Sequence, residues 1–471
     1  MASGSRNWQY LACVSGNLAT TCIGQVFTWS SSALQKLKGD NWEETSPLSH
    51  PVTVEQESWI GSLVQVGAIF GPILSFILVD KIGRKKTLIA TAIPYILSWI
   101  LLATTKSVIQ IYCARIIAGL SVGAVFATLP AYIGEISDKE IRGAMGSFLQ
   151  LFLTLGFMVS FTVGPYVSFI NFAIISTVVP VLFLIIFPFM PESPYYFLKH
   201  NDEKKAGESL IKLRGKPDSD IQTELFEMKA YVEASKQRKG QFTDLIKEKA
   251  IRKSMIIAIG LLAFQQLCGM NAVLAYTEDI FKAANGDLPS EINTIIIGAV
   301  QVVSSCFVPL IVDRLGRKLL LQISGVAMAI GLLFLGLFFL FMDRLNMDVS
   351  AVQFLPITSL VFYVIAFCFG FGSVPWVIVS EIFPSHIKSL ASTVLASICW
   401  IIGFLVIKFF PLLLDTMGKD YGFWLFGVLS FMGAIFTTIL LPETKGKSLQ
   451  EIQELLENGL SLPEKPQIEK A

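Results

Sequence analysis

A short charged motif occurs twice in this chain and indicates that the fold is built from two similar halves. Residues 79–86 read Val-Asp-Lys-Ile-Gly-Arg-Lys-Lys, and residues 312–318 read Val-Asp-Arg-Leu-Gly-Arg-Lys. Each copy separates two long apolar runs, in a chain that is 53% hydrophobic. A charged hairpin repeated between apolar runs predicts a duplicated membrane protein whose halves can move against each other.

Twelve apolar runs are long enough to cross a lipid bilayer, which takes about 20 apolar residues in a helix. Only 15% of the residues are charged, against about 25% in soluble proteins. One long polar segment, 191–253, divides the runs six and six. We therefore predict an all-α membrane protein with two six-helix bundles and a linker between them. The runs lie at residues 9–33, 58–79, 87–104, 108–134, 144–165, 169–190, 254–281, 292–312, 319–341, 354–379, 389–414 and 421–441.

Lysine and arginine are unevenly distributed between the two sides of the predicted membrane domain. They are dense after the second and eighth runs and in the central polar segment, and sparse in the alternate loops. Because positively charged loops stay in the cytoplasm, both termini and the central segment are predicted to be cytoplasmic. The predicted parts are an N-terminal bundle at 1–190, a linker of short amphipathic helices at 191–253, a C-terminal bundle at 254–442 and a cytoplasmic tail at 443–471. A disordered linker is the alternative.

Several classes of function find no support in the sequence. The net charge of +1 gives no global field that would attract nucleic acid. The seven cysteines all lie within apolar runs without metal-ligand spacing, so we interpret them as small buried hydrophobic residues. No nucleophile–base pair, metal cluster or nucleotide-binding loop can be assembled from the residues. We expect no enzymatic activity, no metal and no cofactor.

Further features recur in the same order in both halves. Glu135 and Arg142 in the first half correspond to Glu381 and Lys388 in the second. Each half also closes on a Pro-Glu-Ser or Pro-Glu-Thr sequence. Parallel repeats of this kind are typical of transporters, whose substrate site lies between the repeats near the middle of the bilayer.

These motifs, together with Gln-Gln-Leu-Cys-Gly-Met-Asn at residues 265–271, resemble the sugar porter family of the major facilitator superfamily. The resemblance covers nearly the whole chain. Within the family, the motifs resemble those of insect facilitated trehalose transporters and animal facilitative glucose transporters. It implies two pseudo-symmetric bundles in the major facilitator fold and facilitated transport of trehalose or a hexose such as glucose by alternating access. It also implies a protein that works as a monomer in the lipid bilayer of the plasma membrane, with a small sugar as its partner.

Charged residues near the cytoplasmic ends of the predicted helices form a mirrored set. The resemblance implies salt bridges within and between the halves, which close the cytoplasmic side and break when the protein faces inward. Simple anchoring by positive charge is the alternative. Arg115 needs a partner because an unpaired arginine in an apolar helix costs several kcal/mol, and Gly119 and Gly123 predict close packing of that helix. Lys388 stands where the family usually has arginine, so its bridge is expected to be weaker. The expected gating residues are Asp80, Arg84, Arg115, Glu135, Arg142, Glu192, Asp313, Arg317, Glu381, Lys388 and Glu443.

Amide and aromatic side chains within the apolar runs are candidates for the substrate site. A sugar presents hydroxyl groups and weakly apolar C–H faces, so its site needs amides and rings but no net charge. By resemblance, the positions that contact sugar are Gln150, Gln265, Gln266, Asn271 and Trp376. Gln301 stands where the family often has asparagine, and Trp400 is a second deep tryptophan. Tyr276 matches an outer gate. The alternative is that each amide joins two helices, a contact worth about 0.6 kcal/mol on average. Cys368 and Cys399 replace residues with more hydrogen-bonding capacity in relatives, which leaves the preferred sugar open.

The first apolar run bears on whether transport is coupled to protons. Residues 8–34 contain no Asp, Glu, Lys, Arg or His, whereas proton-coupled sugar porters usually carry an aspartate in this helix. The sequence therefore favours facilitated diffusion. A proton-coupled sugar symporter and a sugar sensor that does not transport are the alternatives.

Overall fold

Twelve long helical elements make up the fold. The computed structural model describes residues 6–38, 42–138, 140–237, 244–286, 288–445 and 449–458, and no strand occurs in these ranges. Three of the twelve elements are interrupted and consist of two pieces each. They are α1 (Asn7–Lys38), α2 (Val54–Ile82), α3 (Arg84–Ala103), α4 (Val108–Ile136), α5 (Arg142–Val163), α6 (Phe169–Ser176 and Val178–Ile186), α7 (Lys249–Leu267 and Met270–Ala275), α8 (Ser290–Leu315), α9 (Arg317–Phe339), α10 (Leu355–Phe369 and Val374–Ile382), α11 (Ser385–Met417) and α12 (Lys419–Leu440).

The described residues form a membrane protein. Eleven helices in them are long and apolar enough to cross a membrane, which confirms the class predicted from the sequence. Helix α1 is the exception, although it is 32 residues long. Its Asn17, Thr20 and Ser30 side chains are completely buried among neighbouring helices. Polar groups that face other helices do not enter lipid, so α1 is built into the first bundle despite its low hydropathy.

The linker between α6 and α7 is attached to the first bundle through Arg214. This guanidinium forms salt bridges of 2.7 Å with Asp138 and of 2.7 Å with Glu224, and it donates to the Ile136 carbonyl oxygen at 2.8 Å. We call this end of the bundles the linker face and the opposite end the far face. The linker contains the helices Pro194–Lys199, Glu203–Arg214, Asp218–Gln237 and Asp244–Lys247, so the helical linker predicted from the sequence is confirmed.

Close helix packing inside the first half follows from glycines, as the sequence predicted for α4. A methyl group on Gly119 of α4 would lie 2.1 Å from the Val64 carbonyl oxygen of α2. On Gly67 of α2 it would lie 2.1 Å from the Ile116 carbonyl oxygen of α4. Only residues without a side chain let the two backbones approach this closely.

The first copy of the charged motif forms a turn between α2 and α3. Gly83 has a φ of 94°, which lets the chain reverse and start α3 at Arg84. A glycine offers no side chain to cap this helix, and Glu192 supplies the cap instead. Its carboxylate accepts hydrogen bonds from the Arg84 and Lys85 backbone N–H groups at 3.1 and 3.0 Å. A carboxylate at a helix N-terminus satisfies free N–H donors and interacts favourably with the helix dipole.

The second copy repeats this geometry between α8 and α9. Gly316 has a φ of 90°, and the Glu443 carboxylate accepts from the Arg317 and Lys318 N–H groups at 3.1 Å each. Burial raises the pKa of Glu443, but its backbone N–H donors outweigh burial and leave that pKa below its ordinary value. The duplicated charged motif and the duplicated Pro-Glu motif are therefore two parts of one structural unit in each half.

The Gly83 turn gives a first prediction. Gly83→Ala is expected to lower the melting temperature of the purified protein in detergent, because its Cβ would lie 2.3 Å from Glu192 Oε2. Strain in this glycine-favoured backbone region costs about 1–3 kcal/mol. The matched control is Gly143→Ala, where a Cβ meets no atom within 4 Å. A melting temperature equal to that of the wild type in Gly83→Ala would contradict the assigned turn.

Candidate functional site

The two halves meet along the far face and in the middle of the molecule. Lys408 of α11 donates to Ser58 Oγ of α2 at 2.6 Å, and the Thr154 and Ser305 hydroxyls of α5 and α8 lie 2.9 Å apart. Toward the linker face, a methyl group on Gly143 of α5 would meet no atom within 4 Å. Contacts between the halves thus close the far face, and space remains beside α5 at the linker face.

An amide pair lies at the break in α7, close to this interface. Asn271 Nδ2 donates to Gln266 Oε1 at 2.6 Å, and Gln266 Nε2 donates to Cys399 Sγ of α11 at 3.1 Å. In a continuous helix, residues five apart point in different directions. The break at Gly269, with a φ of 88°, brings both amides together. Cys399, which the sequence marked only as a departure from relatives, is part of the cluster.

Gln265 has a different partner from its neighbour Gln266. Its Nε2 donates to the carbonyl oxygens of Phe371 and Gly372 at 2.6 and 3.1 Å. These carbonyls belong to the interruption of α10, where the regular helical hydrogen bonds are missing. Gln265 therefore joins α7 to the break in α10, which is the helix-joining role that the sequence left as an alternative.

The other expected substrate-binding residues lie on α5, α8, α10 and α11. Gln150 is half-buried on α5, one turn from Thr154 toward the linker face, and Trp376 is half-buried on the second piece of α10. Gln301 and Trp400 are buried, and their side-chain N–H groups have no hydrogen-bond partner among the described residues. The Trp400 ring centroid lies 6.0 Å from that of Phe27 and 5.4 Å from that of Phe126.

The chemistry of this region is neutral. Amides, a thiol and aromatic rings converge where the halves meet, and the described residues contain no group of three His, Cys, Asp or Glu side chains suited to a metal ion. Neutral donors and acceptors next to aromatic faces suit an uncharged polar ligand with an apolar face. The arrangement can bind and orient such a ligand.

A charged cluster closes the far face. Lys38 Nζ at the end of α1 lies 2.7 Å from Glu57 Oε1 of α2 and 2.8 Å from Asp279 Oδ1. Asp279 belongs to the short helix Thr277–Ala284 that follows α7, and it also accepts from Gln35 Nε2 at 2.5 Å. We call Gln35, Lys38, Glu57 and Asp279 the far-face latch. One ammonium group binds carboxylates from both halves.

Other contacts between the halves surround the latch. The Tyr276 ring stacks on Phe410 with centroids 5.4 Å apart, and its hydroxyl donates to the Glu57 carbonyl oxygen at 3.5 Å. Ser30 Oγ donates to the Ala275 carbonyl oxygen at 3.2 Å. Tyr276 therefore lies between the halves at the far face, and its role as an outer gate stays a prediction. The sequence showed charges in this region, but nothing in it indicated that Lys38 pairs across the halves.

Arg115 lies toward the far face, so the prediction that it lies beside the other expected gating residues is wrong. It occupies the first turns of α4, which begins at the far face. Its guanidinium donates to the Val26 and Ile60 carbonyl oxygens at 2.7 and 3.0 Å and lies 5.1 Å from the centre of the Trp29 ring. Backbone dipoles and an aromatic face stabilise this cation in place of a carboxylate.

The remaining charged residues of the expected set lie at the linker face and bond within their own half. Arg84 pairs with Glu135 at 2.9 Å and Arg317 with Glu381 at 3.0 Å. The other contacts are Arg142 to the Ser137 carbonyl oxygen at 3.3 Å, Lys388 to the Ser380 carbonyl oxygen at 2.7 Å and Asp80 to Lys199 at 2.6 Å. The Asp313 side chain lies outside the described residues. Salt bridges between the halves at this face stay a prediction.

Comparison with known proteins identifies relatives over most of the chain. Residues 17–456 match the family described as Sugar (and other) transporter. The facilitated trehalose transporter Tret1 of Polypedilum vanderplanki is 36% identical over 447 residues, which cover 94% of this chain and 87% of that protein. Tret1 of Drosophila mojavensis is 35% identical over 447 residues, and here the chain spans about half of the relative, 51%. The xylose transporter XylE from E. coli, solved in a partially occluded inward-open conformation, has the same fold, with a TM-score of 0.78, 23% identity, and coverage of 94% of this chain and 100% of that chain.

The far-face latch gives a second prediction. Lys38→Met is expected to shift the protein toward states open at the far face by about 1–2 kcal/mol, because Glu57 and Asp279 then lose the cation they share. Pulsed electron spin resonance measures the shift as a population at longer distance between spin labels placed on the exposed far-face residues Lys106 and Asp415. The exposed cysteines, Cys113 and Cys306, are first replaced by serine.

The matched control for the latch is a lysine pair confined to one half. Lys419 bonds Asp343 at 2.9 Å, and both residues belong to the second half at the far face. Lys419→Met is expected to leave the distance distribution unchanged. Equal distributions in Lys38→Met and wild type would show that the latch does not hold the far face closed.

A third prediction concerns the pH dependence of the closed far face. Burial is the largest cause that raises the pKa of Glu278 from its ordinary value of 4.5 to about 7. The neighbouring Glu291 and Asp279 add to this shift, and Ser32 and Lys36 oppose it. Opening the far face would expose the carboxylate to water and restore its ordinary pKa. Protonation therefore favours closure, and the ratio of closed to open is expected to rise by up to about tenfold per pH unit as pH falls from 7 toward 4.5.

The same spin-label distances, recorded from pH 8 to pH 5, measure this pH dependence. Glu278→Gln keeps the neutral form at every pH, so its far face is expected to stay closed with a weaker response to pH. An unaltered pH profile in Glu278→Gln would assign the effect to another group.

Proposed function

The chain belongs to the sugar transporter family, and we propose that it carries trehalose or a hexose such as glucose across a membrane by facilitated diffusion. The observation that carries this proposal is the neutral cluster of Gln266, Asn271 and Cys399 between the two halves. Its hydrogen-bonding groups match hydroxyls, and it contains no charge that would require an ionic substrate. The names of the trehalose-transporting relatives support a sugar as the substrate.

The linker face is the cytoplasmic face in this proposal, and the membrane is the plasma membrane. The support is the excess of lysine and arginine at the linker face, which the positive-inside tendency keeps in the cytoplasm. The structure then corresponds to a state that faces the cytoplasm. The far-face latch and Tyr276 form the outer gate in this state.

Transport proceeds by alternating access between the halves. Sugar enters between them, exchanges the hydrogen bonds among the amides for bonds to its hydroxyls, and favours a state closed at both faces. The latch then breaks while the linker face closes, and charges there pair between the halves. One chain contains both halves and the site between them, so a monomer is sufficient.

The proposal excludes energy coupling through a titratable group in the middle of α1. The proton:xylose symporter XylE shares this fold, so a proton-coupled symporter is the alternative that the experiment must separate. From residue 8 to residue 34 this chain has no titratable side chain. Uniport is expected to equilibrate the sugar without accumulating it.

Uptake by proteoliposomes tests the function and gives a fourth prediction. Radiolabelled trehalose and D-glucose are offered to vesicles containing the purified full chain, with and without an imposed proton gradient. One of the sugars is expected to enter until its concentrations are equal, at a final level that the gradient does not change. Accumulation that depends on the gradient would establish symport, and absence of uptake for a panel of sugars would contradict the proposed function.

A binding-site variant connects this activity to the amide cluster. Asn271→Ala removes the bond to Gln266 Oε1 and is expected to raise the KM for the transported sugar several-fold, since a neutral hydrogen bond contributes about 0.5–1.5 kcal/mol. The matched control is Asn17→Ala, because Asn17 bonds the Cys13 carbonyl oxygen within its own helix at 2.8 Å. An unchanged KM in Asn271→Ala would place the sugar elsewhere.

A further inference from the structure

Gln65 of α2 is a first-half amide that faces the amide cluster of the second half. It is 2% exposed and lies over Gly403 of α11. A methyl group built on Gly403 would be 3.6 Å from Gln65 Cγ and 2.9 Å from Gln266 Oε1. The two glutamines therefore approach each other over the same glycine, one from each half.

The carbonyl of this amide has no partner in the described part of the chain. Gln65 Oε1 is buried and accepts no hydrogen bond there. Leaving a buried acceptor unpaired is costly, about 1–3 kcal/mol. One turn away from Gly403, the buried indole N–H of Trp400 is also without a partner among the described residues. An acceptor from the first half and a donor from the second are thus both available at this interface.

A second glutamine shows that position, and not burial alone, distinguishes Gln65. Gln25 of α1 is 1% exposed and its Oε1 is likewise unpaired among the described residues. However, Gln25 packs inside the first half, where its backbone oxygen accepts from Ser160 Oγ of α5 at 3.5 Å and its backbone nitrogen lies 3.1 Å from a Cβ built on Gly156. Of these two glutamines, only Gln65 combines a carbonyl unpaired among the described residues with a neighbouring amide of the other half.

We propose that Gln65 is a specificity-determining residue of the sugar site, whose carbonyl oxygen accepts a hydrogen bond from a sugar hydroxyl. The proposal rests on the proposed transport function and adds a contact from α2. An uncharged polyol carries both a donor and an acceptor on each hydroxyl, so it pairs with Gln65 on one side and with Gln266 or Asn271 on the other. A ligand lacking the hydroxyl at this position leaves Gln65 Oε1 unpaired and binds more weakly.

A contact from each half also couples binding to closure. Gln65 of α2 and Gln266 lie near each other only while α2 is packed against α11 at Gly403. A sugar can therefore bond both glutamines only when these two helices are close. A sugar that bridges them stabilises the approached arrangement of the halves over the separated one. Gln65 thereby contributes to recognition in the closed and occluded states more than in states where the halves have parted.

The test compares Gln65→Leu with Gln25→Leu in the proteoliposome assay, using D-glucose, trehalose and the monodeoxy analogues of whichever sugar enters. Gln65→Leu keeps the side-chain size but removes the acceptor, and its binding of the transported sugar is expected to weaken about three- to tenfold. Gln25→Leu is expected to bind like the wild type. For one monodeoxy analogue, Gln65→Leu and wild type should bind equally well, since the hydroxyl that Gln65 contacts is absent.

The outcomes separate this inference from the proposed function. If the wild type carries no sugar, the transport function itself fails. If the wild type transports and Gln65→Leu binds every sugar and analogue as the wild type does, Gln65 does not contact the sugar. A lower maximal rate with unchanged binding would also overturn the inference, because it would assign Gln65 to movement of the halves. Equal weakening in Gln65→Leu and Gln25→Leu would indicate a general loss of packing.

Discussion

The contact of Lys38 with two carboxylates from opposite halves is the interaction on which we expect closure of the far face to depend. Its 2.7 and 2.8 Å bonds to Glu57 and Asp279 hold together the ends of α1, α2 and the helix after α7. Both carboxylates depend on one cation, so removal of Lys38 leaves two like charges facing each other across the halves. Apolar packing between α2 and α11 could slide gradually, whereas the latch is either formed or broken. This interaction gives the far face two discrete arrangements.

The charged units at the linker face have the opposite character. Glu192 and Glu443 cap the helices that begin at Arg84 and Arg317, and both arginines then bond carboxylates of their own half. Because each of these contacts joins residues of one half, it stabilises that bundle as a unit. Movement is therefore concentrated at the interface, where fewer bonds must be exchanged. The repeated charged motif stabilises each of the two bundles. The far-face latch, which occurs once, holds the two bundles in one arrangement.

Local patterns predicted the helices, the duplication and the helical linker. These features depend on residues close in sequence, namely on the length of apolar runs, on glycines at turns and on the distribution of charge. Contacts across the halves were not predictable in this way. The position of Arg115 was misjudged because its charge suggested a cytoplasmic end, whereas α4 carries it close to the far face, where carbonyl groups bind it. The Gln266–Asn271 bond depends on the break at Gly269, and Gln65 resembles any other polar residue of an apolar run until α11 is packed against it.

Recognition and gating use interactions of different kinds in this molecule, neutral hydrogen bonds in the middle and charged contacts at the far face. In the proposed transport cycle, each neutral hydrogen bond from the site to the sugar contributes about 0.5–1.5 kcal/mol. The latch as a whole is expected to stabilise the closed far face by about 1–2 kcal/mol, because burial of its charges offsets part of their attraction. A few neutral bonds made in the closed arrangement are then comparable in sum with one latch. A sugar that contacts both halves can therefore offset the latch only when several of its hydroxyls are bound at once, so selectivity for the ligand and release of the gate depend on the same set of neutral contacts.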